Sequence, residues 1–115
     1  MRKRPKLDNN HRQIKNELEQ CYIKIVDLAG VGDDVPDLLV ARRGINLLVE
    51  LKSPGGKLSP GQYEFILQWP APVMVADCIE QIIEAFDQLE AGYFNFTQWP
   101  LRWELLEKYS PFKEG

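Results

Sequence analysis

An α/β fold, with helices flanking a mixed sheet, is what this 115-residue sequence predicts. Three observations carry the prediction. Apolar residues recur at helical spacing in two stretches (Ile14, Leu18 and Cys21; Ile79, Ile82, Ile83 and Phe86). Two β-prone runs, residues 37–42 and 45–52, are joined by Arg43-Gly44, a pair suited to a hairpin turn. A short apolar run at 73–76 then lies between two helical patterns, so the order αβββαβα points to a mixed sheet with helices on its faces.

The elements follow in order. Residues 1–7, with Arg2, Lys3, Arg4 and Lys6, read as a flexible basic arm. Asp8, Asn9 and Asn10 offer N-caps for a helix to about Gln20, with a run-on through Ile25 as the alternative. Residues 22–28 read as a first strand, and 29–35 as a Gly/Asp-rich loop. After the hairpin, residues 53–57 form a loop. Ser59-Pro60 supplies a hydroxyl cap and a first-position proline for a helix carrying Gln62, Phe65, Ile66 and Trp69, which Pro70 and Pro72 end. Asp77 is the expected cap of the last clear helix, which ends near Gly92. One domain is thus expected over 8–92, with 93–115, including Trp99, Trp103, Tyr109 and Phe112, as an aromatic extension packing on the domain or on a dimer partner.

Chemistry concentrates in the hairpin. Pro36-Asp37 opens its first strand, and Glu50-Leu51-Lys52 closes its second. With the turn centred on Arg43-Gly44, opposed residues have numbers summing to 87, and Asp37 faces Glu50. Opposed residues of an antiparallel pair have Cβ atoms about 4.5–5.5 Å apart. Lys52, two residues on, returns to the same face. A four-residue loop over 42–45 preserves this register; a three-residue turn or a bulge shifts it. Unpaired charge in central strands is costly, and a divalent cation with a phosphate is the most economical reason for these three groups.

Each residue also has a plainer reading. Asp37 suits a turn after proline, Glu50 a salt bridge with Lys52 or Arg42, Lys52 a strand end, and Gln62 an exposed helix face. Asp33 and Asp34 read as loop residues, His11 as surface or cap, and Trp69, Trp99 and Trp103 as core or dimer packing. With one histidine in the chain, His-metal nucleases and Ser/Cys-His hydrolases lack support.

Size and charge set bounds. The chain is long enough for one hydrophobic core, and no apolar run approaches the roughly 20 residues of a membrane span. No apolar signal segment follows the basic N-terminus. Cys21 and Cys78 read as reduced, partly buried thiols, so the cytoplasm is the expected compartment. Net charge is −3, but residues 1–60 hold 11 Lys/Arg against 8 Asp/Glu, and residues 61–115 hold 3 against 9. The N-terminal half is the one suited to phosphates.

With Asp37, Glu50-Leu51-Lys52 and the element order, the chain resembles the PD-(D/E)xK nuclease superfamily, and more closely its small stand-alone VRR-Nuc domains of phages and bacteria. The matching stretches are 32–40 (GDDVPDLLV), 47–52 (LLVELK) and 58–62 (LSPGQ), within a similarity covering about 8–90. The resemblance implies a restriction-endonuclease-like αβββαβ core and a Mg²⁺-dependent DNA endonuclease, with Mn²⁺ able to substitute. It implies a homodimer cutting branched DNA in a bacterial or phage-infected cell. Asp37, Glu50 and the Leu51 backbone carbonyl would hold the metal. Lys52 would serve the attacking water or the phosphate, and Gln62 would orient substrate or water. One departure stands out: Gln13 falls where the family carries a first-helix glutamate, and Glu17, a turn later, is the candidate substitute. A nuclease-fold DNA-binding or accessory module without activity is the alternative.

Overall fold

Arg43 and Gly44 both adopt left-handed backbone, φ 50° and 84°, the pair of positive values a type I′ turn needs. Around them close β2 (Leu38–Arg42) and β3 (Ile45–Leu51), pairing antiparallel from Arg42 with Ile45 to Leu38 with Val49. This is the register expected from the sequence. The structure, a computed structural model, describes residues 5–92 and 101–112. Within them β1 (Lys24–Asp27) joins β2 antiparallel, and β4 (Val73–Ala76) joins β3 parallel, giving one mixed sheet in the order β1-β2-β3-β4.

Side-chain alternation assigns the faces. Leu38, Val40, Leu47, Val49 and Met74 are all buried in one core cluster with Ile14 and Leu18 of α1 (Pro5–Gln20) and Ile82, Ala85 and Phe86 of α3 (Ile79–Glu90). Arg42 belongs to the same face. Its guanidinium lies 5.1 Å from the Phe86 ring centre and bridges Asp87 and Glu90 of α3 at 2.7 and 2.8 Å. The opposite face carries Leu39, Leu48 and Glu50, with α2 (Pro60–Gln68) over part of it. The β3–α2–β4 passage makes the parallel pairing possible, because parallel neighbours need a crossover.

The start of α2 follows its sequence closely. Ser59 Oγ accepts the Gln62 N–H at 3.0 Å, and Gln62 Oε1 accepts the Ser59 N–H at 2.9 Å, a complete capping box behind Pro60.

Elsewhere the structure corrects expectations. The first helix begins at Pro5, three residues before Asp8 and inside the segment read as an arm; proline is tolerated in a first turn. The first strand is confined to Lys24–Asp27, because Tyr22 takes φ 62° in the turn that leaves α1. Cys78 rather than Asp77 is the α3 N-cap, and Asp77 instead accepts a hydrogen bond from Gln81 Nε2 at 2.8 Å. Cys21 is exposed, not partly buried.

Residues 93–100, including Trp99, lie outside the described set. From Leu101 the chain is bound to the domain: Leu101 N–H donates to Val73 O at 3.0 Å, and Leu58 N–H to Tyr109 O at 2.8 Å. Helix α4 (Trp103–Lys108) contributes Leu105 and Leu106 to the core, followed by Tyr109. Trp103 and Phe112 stay exposed. Among the described residues no helix is long and apolar enough to cross a membrane.

Candidate active site

Two interruptions of the hairpin ladder create the site. Register sets Pro36 opposite Leu51, and proline has no N–H to donate. The Asp37 side chain takes over instead: its Oδ2 accepts the Leu51 N–H at 2.9 Å. In an extended strand one residue's N–H and C=O share an edge, so the Leu51 carbonyl is directed to the Asp37 side, where the ladder supplies no donor. The Asp37 carbonyl, in turn, accepts the Leu28 N–H of the neighbouring segment at 2.7 Å. Asp37 is thus tied to both flanking strands.

Glu50 is the unusual residue. It is only 3% exposed, on the same face as Lys52, whose Nζ lies 3.8 Å from Glu50 Oε2 and also donates to the Lys57 carbonyl at 3.1 Å. Burial, then the negative charge of Asp37, push the Glu50 carboxyl up to about 8, against the opposing pull of Lys52. Asp34 adds to the upward push. The local charge therefore favours an additional cation.

Asp34 comes from the Gly/Asp-rich loop, where Gly32, Asp33 and Asp34 all take positive φ (86°, 57° and 63°). Its carboxylate lies directly over Gly61 in the first turn of α2, and a Cβ at that position would collide with it. The loop, the helix start and the acid pair are in this way packed together.

Helix α1 also reaches the site, though not through the residues expected. Asn10 Nδ2 donates to the Lys52 carbonyl at 3.3 Å, and His11 Nε2 stands 3.7 Å from Asp37 Oδ2, buried and without a hydrogen-bond partner. Gln13 and Glu17 bond each other at 3.2 Å on that helix. The signal that finds His11 is its spacing: residues 11, 14 and 18 share the inward stripe of α1, and 13 and 17 lie off it. Gln62 has its Oε1 committed to the capping box, leaving its NH₂ group for any further role.

The structure therefore joins Asp37, Glu50, Lys52 and the Leu51 backbone, and adds Asp34, His11 and Asn10. Among the described residues, no three His, Cys, Asp or Glu side chains converge closely enough to hold a metal by themselves. Two carboxylates and a carbonyl remain, a hard oxygen set of the kind Mg²⁺ takes, since that ion keeps several of its waters. The Glu50 carboxyl, pushed up by burial and by Asp37, is the group whose charge a cation there would offset. The chain matches no protein-family model, no curated protein and no solved structure.

Proposed function

We propose that this chain is a divalent-metal-dependent deoxyribonuclease of the VRR-Nuc kind, hydrolysing phosphodiester bonds in branched DNA as a homodimer. One observation carries the reading: a carboxyl 3% exposed sits beside a second acid, with an ammonium 3.8 Å away. Mg²⁺ or Mn²⁺, when bound, supplies an activated water and neutralises phosphate charge. Asp37, Glu50 and the Leu51 carbonyl are the groups that would hold it. Lys52 sits beside Glu50 on the strand face, where its ammonium pairs with a phosphate oxygen and opposes the charge that grows there. The Leu51 N–H holds the Asp37 side chain, the Leu28 N–H holds the Asp37 backbone carbonyl, and Asn10 holds the backbone at Lys52.

The test is cleavage of branched, duplex and single-stranded DNA with Mn²⁺, the Lys52→Ala protein serving as control. Cutting by wild type alone is the expected result; cutting that persists in Lys52→Ala marks a contaminant and removes the support. A second reading, an inactive nuclease-fold DNA-binding or accessory module, is favoured by the Gln13–Glu17 pair, which occupies the helix position where an acid is expected. DNA binding without cleavage of any substrate selects it.

A further inference from the structure

Beside the acid pair, on the same sheet face, the molecule has an open cleft of about 470 Å³. Its walls include Leu28, Val35, Leu39, Leu48, Phe65 and Trp69, with Asn46 as a polar element at one side. That volume is within the roughly 300–1,000 Å³ of small-molecule sites. Position gives it meaning. Leu39 and Leu48 are directly opposed in the β2–β3 ladder, which ends at Leu38 with Val49; continuing its register by one step puts Asp37 opposite Glu50 on the same face as Leu39 and Leu48. Two residues of antiparallel strand span about 6.8 Å. This is close to the reach from a backbone phosphate across its sugar to the base.

The wall chemistry suits a flat ring. Trp69 stacks on Phe65 with ring centres 5.1 Å apart and planes within 14°, and the indole remains 38% exposed. One aromatic face is thus supported from behind, with surface left for a partner. Pro70 follows and Trp69 ends α2 in extended backbone, so the ring leaves the helix axis. Asn46, Leu48, Glu50 and Lys52 alternate onto one face of the strand, presenting an amide, an apolar floor, a carboxylate and an ammonium in sequence.

Resting on the nuclease reading, we propose that this cleft takes one unpaired nucleobase of the strand whose phosphate lies at Asp37 and Glu50. The base stacks on Trp69 over Leu39 and Leu48, and Asn46 meets its polar edge. A base inside a duplex is stacked on both sides and cannot enter; it must be flipped out or already single-stranded. The substrate class is therefore DNA with an unpaired nucleotide next to the cut, such as a flap, a gap edge or an open junction arm.

Binding and cleavage are measured separately, so the two readings fail separately. Full-length Glu50→Gln protein is titrated, without divalent cation, into a single-stranded oligonucleotide carrying 2-aminopurine and into the same strand with abasic positions. Stacking predicts quenched 2-aminopurine fluorescence and an affinity about 5- to 150-fold lower for the abasic strand. Trp69→Ser on the same background loses a similar factor on the normal strand and nothing on the abasic one. Trp69→Phe restores most of it, and Trp103→Ser, at an exposed aromatic that does not line the cleft, changes neither. Equal affinity for normal and abasic strands, which needs no substitution in the cleft, overturns the proposal. So does a Trp69→Ser protein that binds both as well as its parent, or that only shifts from dimer to monomer in sedimentation. If stacking is seen but wild type never cuts, the cleft stands and the nuclease fails; cleavage indifferent to Trp69→Ser gives the reverse.

Discussion

Replacing Glu50 with Gln is expected to make the metal-free protein more stable at neutral pH while abolishing cleavage. The sign follows from the direction of the shift. Glu50 is held up to about 8 in the folded protein, by burial first and by Asp37 second, against 4.5 for the free group. Between those values the unfolded chain has released the proton and the folded chain keeps it. Stability therefore falls as pH rises through that window, the reverse of an ordinary salt-bridged carboxylate. At about pH 7.5 the gap from 4.5 spans roughly three pH units at about 1.36 kcal/mol each, or about 4 kcal/mol of lost stability. A buried amide restores part of the cost, about 1–3 kcal/mol for its own desolvation. The net gain for Glu50→Gln is thus about 1–3 kcal/mol, or roughly 4–12 °C in Tm for a domain of this size. Near pH 5 the wild-type loss is only about 0.8 kcal/mol, so the same amide cost cancels or outweighs it and the two curves meet or cross. Thermal melts in EDTA across pH 5–8 read this directly. Adding Mn²⁺ at pH 7.5 raises the wild-type Tm and moves Glu50→Gln little. A variant that is less stable at pH 7.5, with a gap independent of pH, would refute the strained-carboxyl argument.

Three further outcomes follow from contacts around the site. Gly61→Ala forces the exposed Asp34 carboxylate off the helix start; because that side-chain end can swing aside and alanine favours the helix, the net change stays within about 1 kcal/mol, and a double-mutant cycle with Asp34→Gly by urea denaturation detects the coupling. Ser59→Ala removes half of the capping box and costs about 1 kcal/mol in the same measurement. Tyr109→Phe removes the 2.6 Å bond from the tyrosine hydroxyl to Asp77. Because Lys108 and Gln81 still serve that carboxylate, the cost lies near 1.5 kcal/mol, the low end for a hydrogen bond to a charged group, and cleavage is unchanged.

The hairpin was legible because its rule is local and rigid. Two residues, Arg43 and Gly44, decide the turn, and a strand's period of two then places every side chain, Asp37 and Glu50 included. The capping box was half-legible for the same reason: the hydroxyl and proline that start α2 are readable, whereas the Gln62 carbonyl oxygen that closes the cap is one of two ends of an amide whose partner the sequence does not name. The contact of Asp34 with Gly61 was out of reach, since it joins a loop to a helix 27 positions later through a tertiary approach that no periodicity announces. The tail was illegible where tertiary partners decide: Leu101 and Tyr109 are ordered by backbone bonds to Val73 and Leu58, far away in sequence.

The first helix shows what periodicity adds to sequence order. An inward stripe through Ile14 and Leu18 continues back to position 11 by steps of three and seven. His11 is thereby carried against Asp37, and Gln13 is turned away to pair with Glu17. What α1 delivers to the acid pair is an imidazole nitrogen 3.7 Å from Asp37 Oδ2 and an amide on the Lys52 carbonyl, both outside the oxygen set formed by Asp37, Glu50 and Leu51. Under the proposed function, a helix that places an imidazole rather than a third carboxylate beside Asp37 would suit a single hard cation that keeps most of its waters. The chemistry of such a site then depends on how firmly Asp37 is held, and the Leu51 and Leu28 backbone bonds hold it from both neighbouring strands.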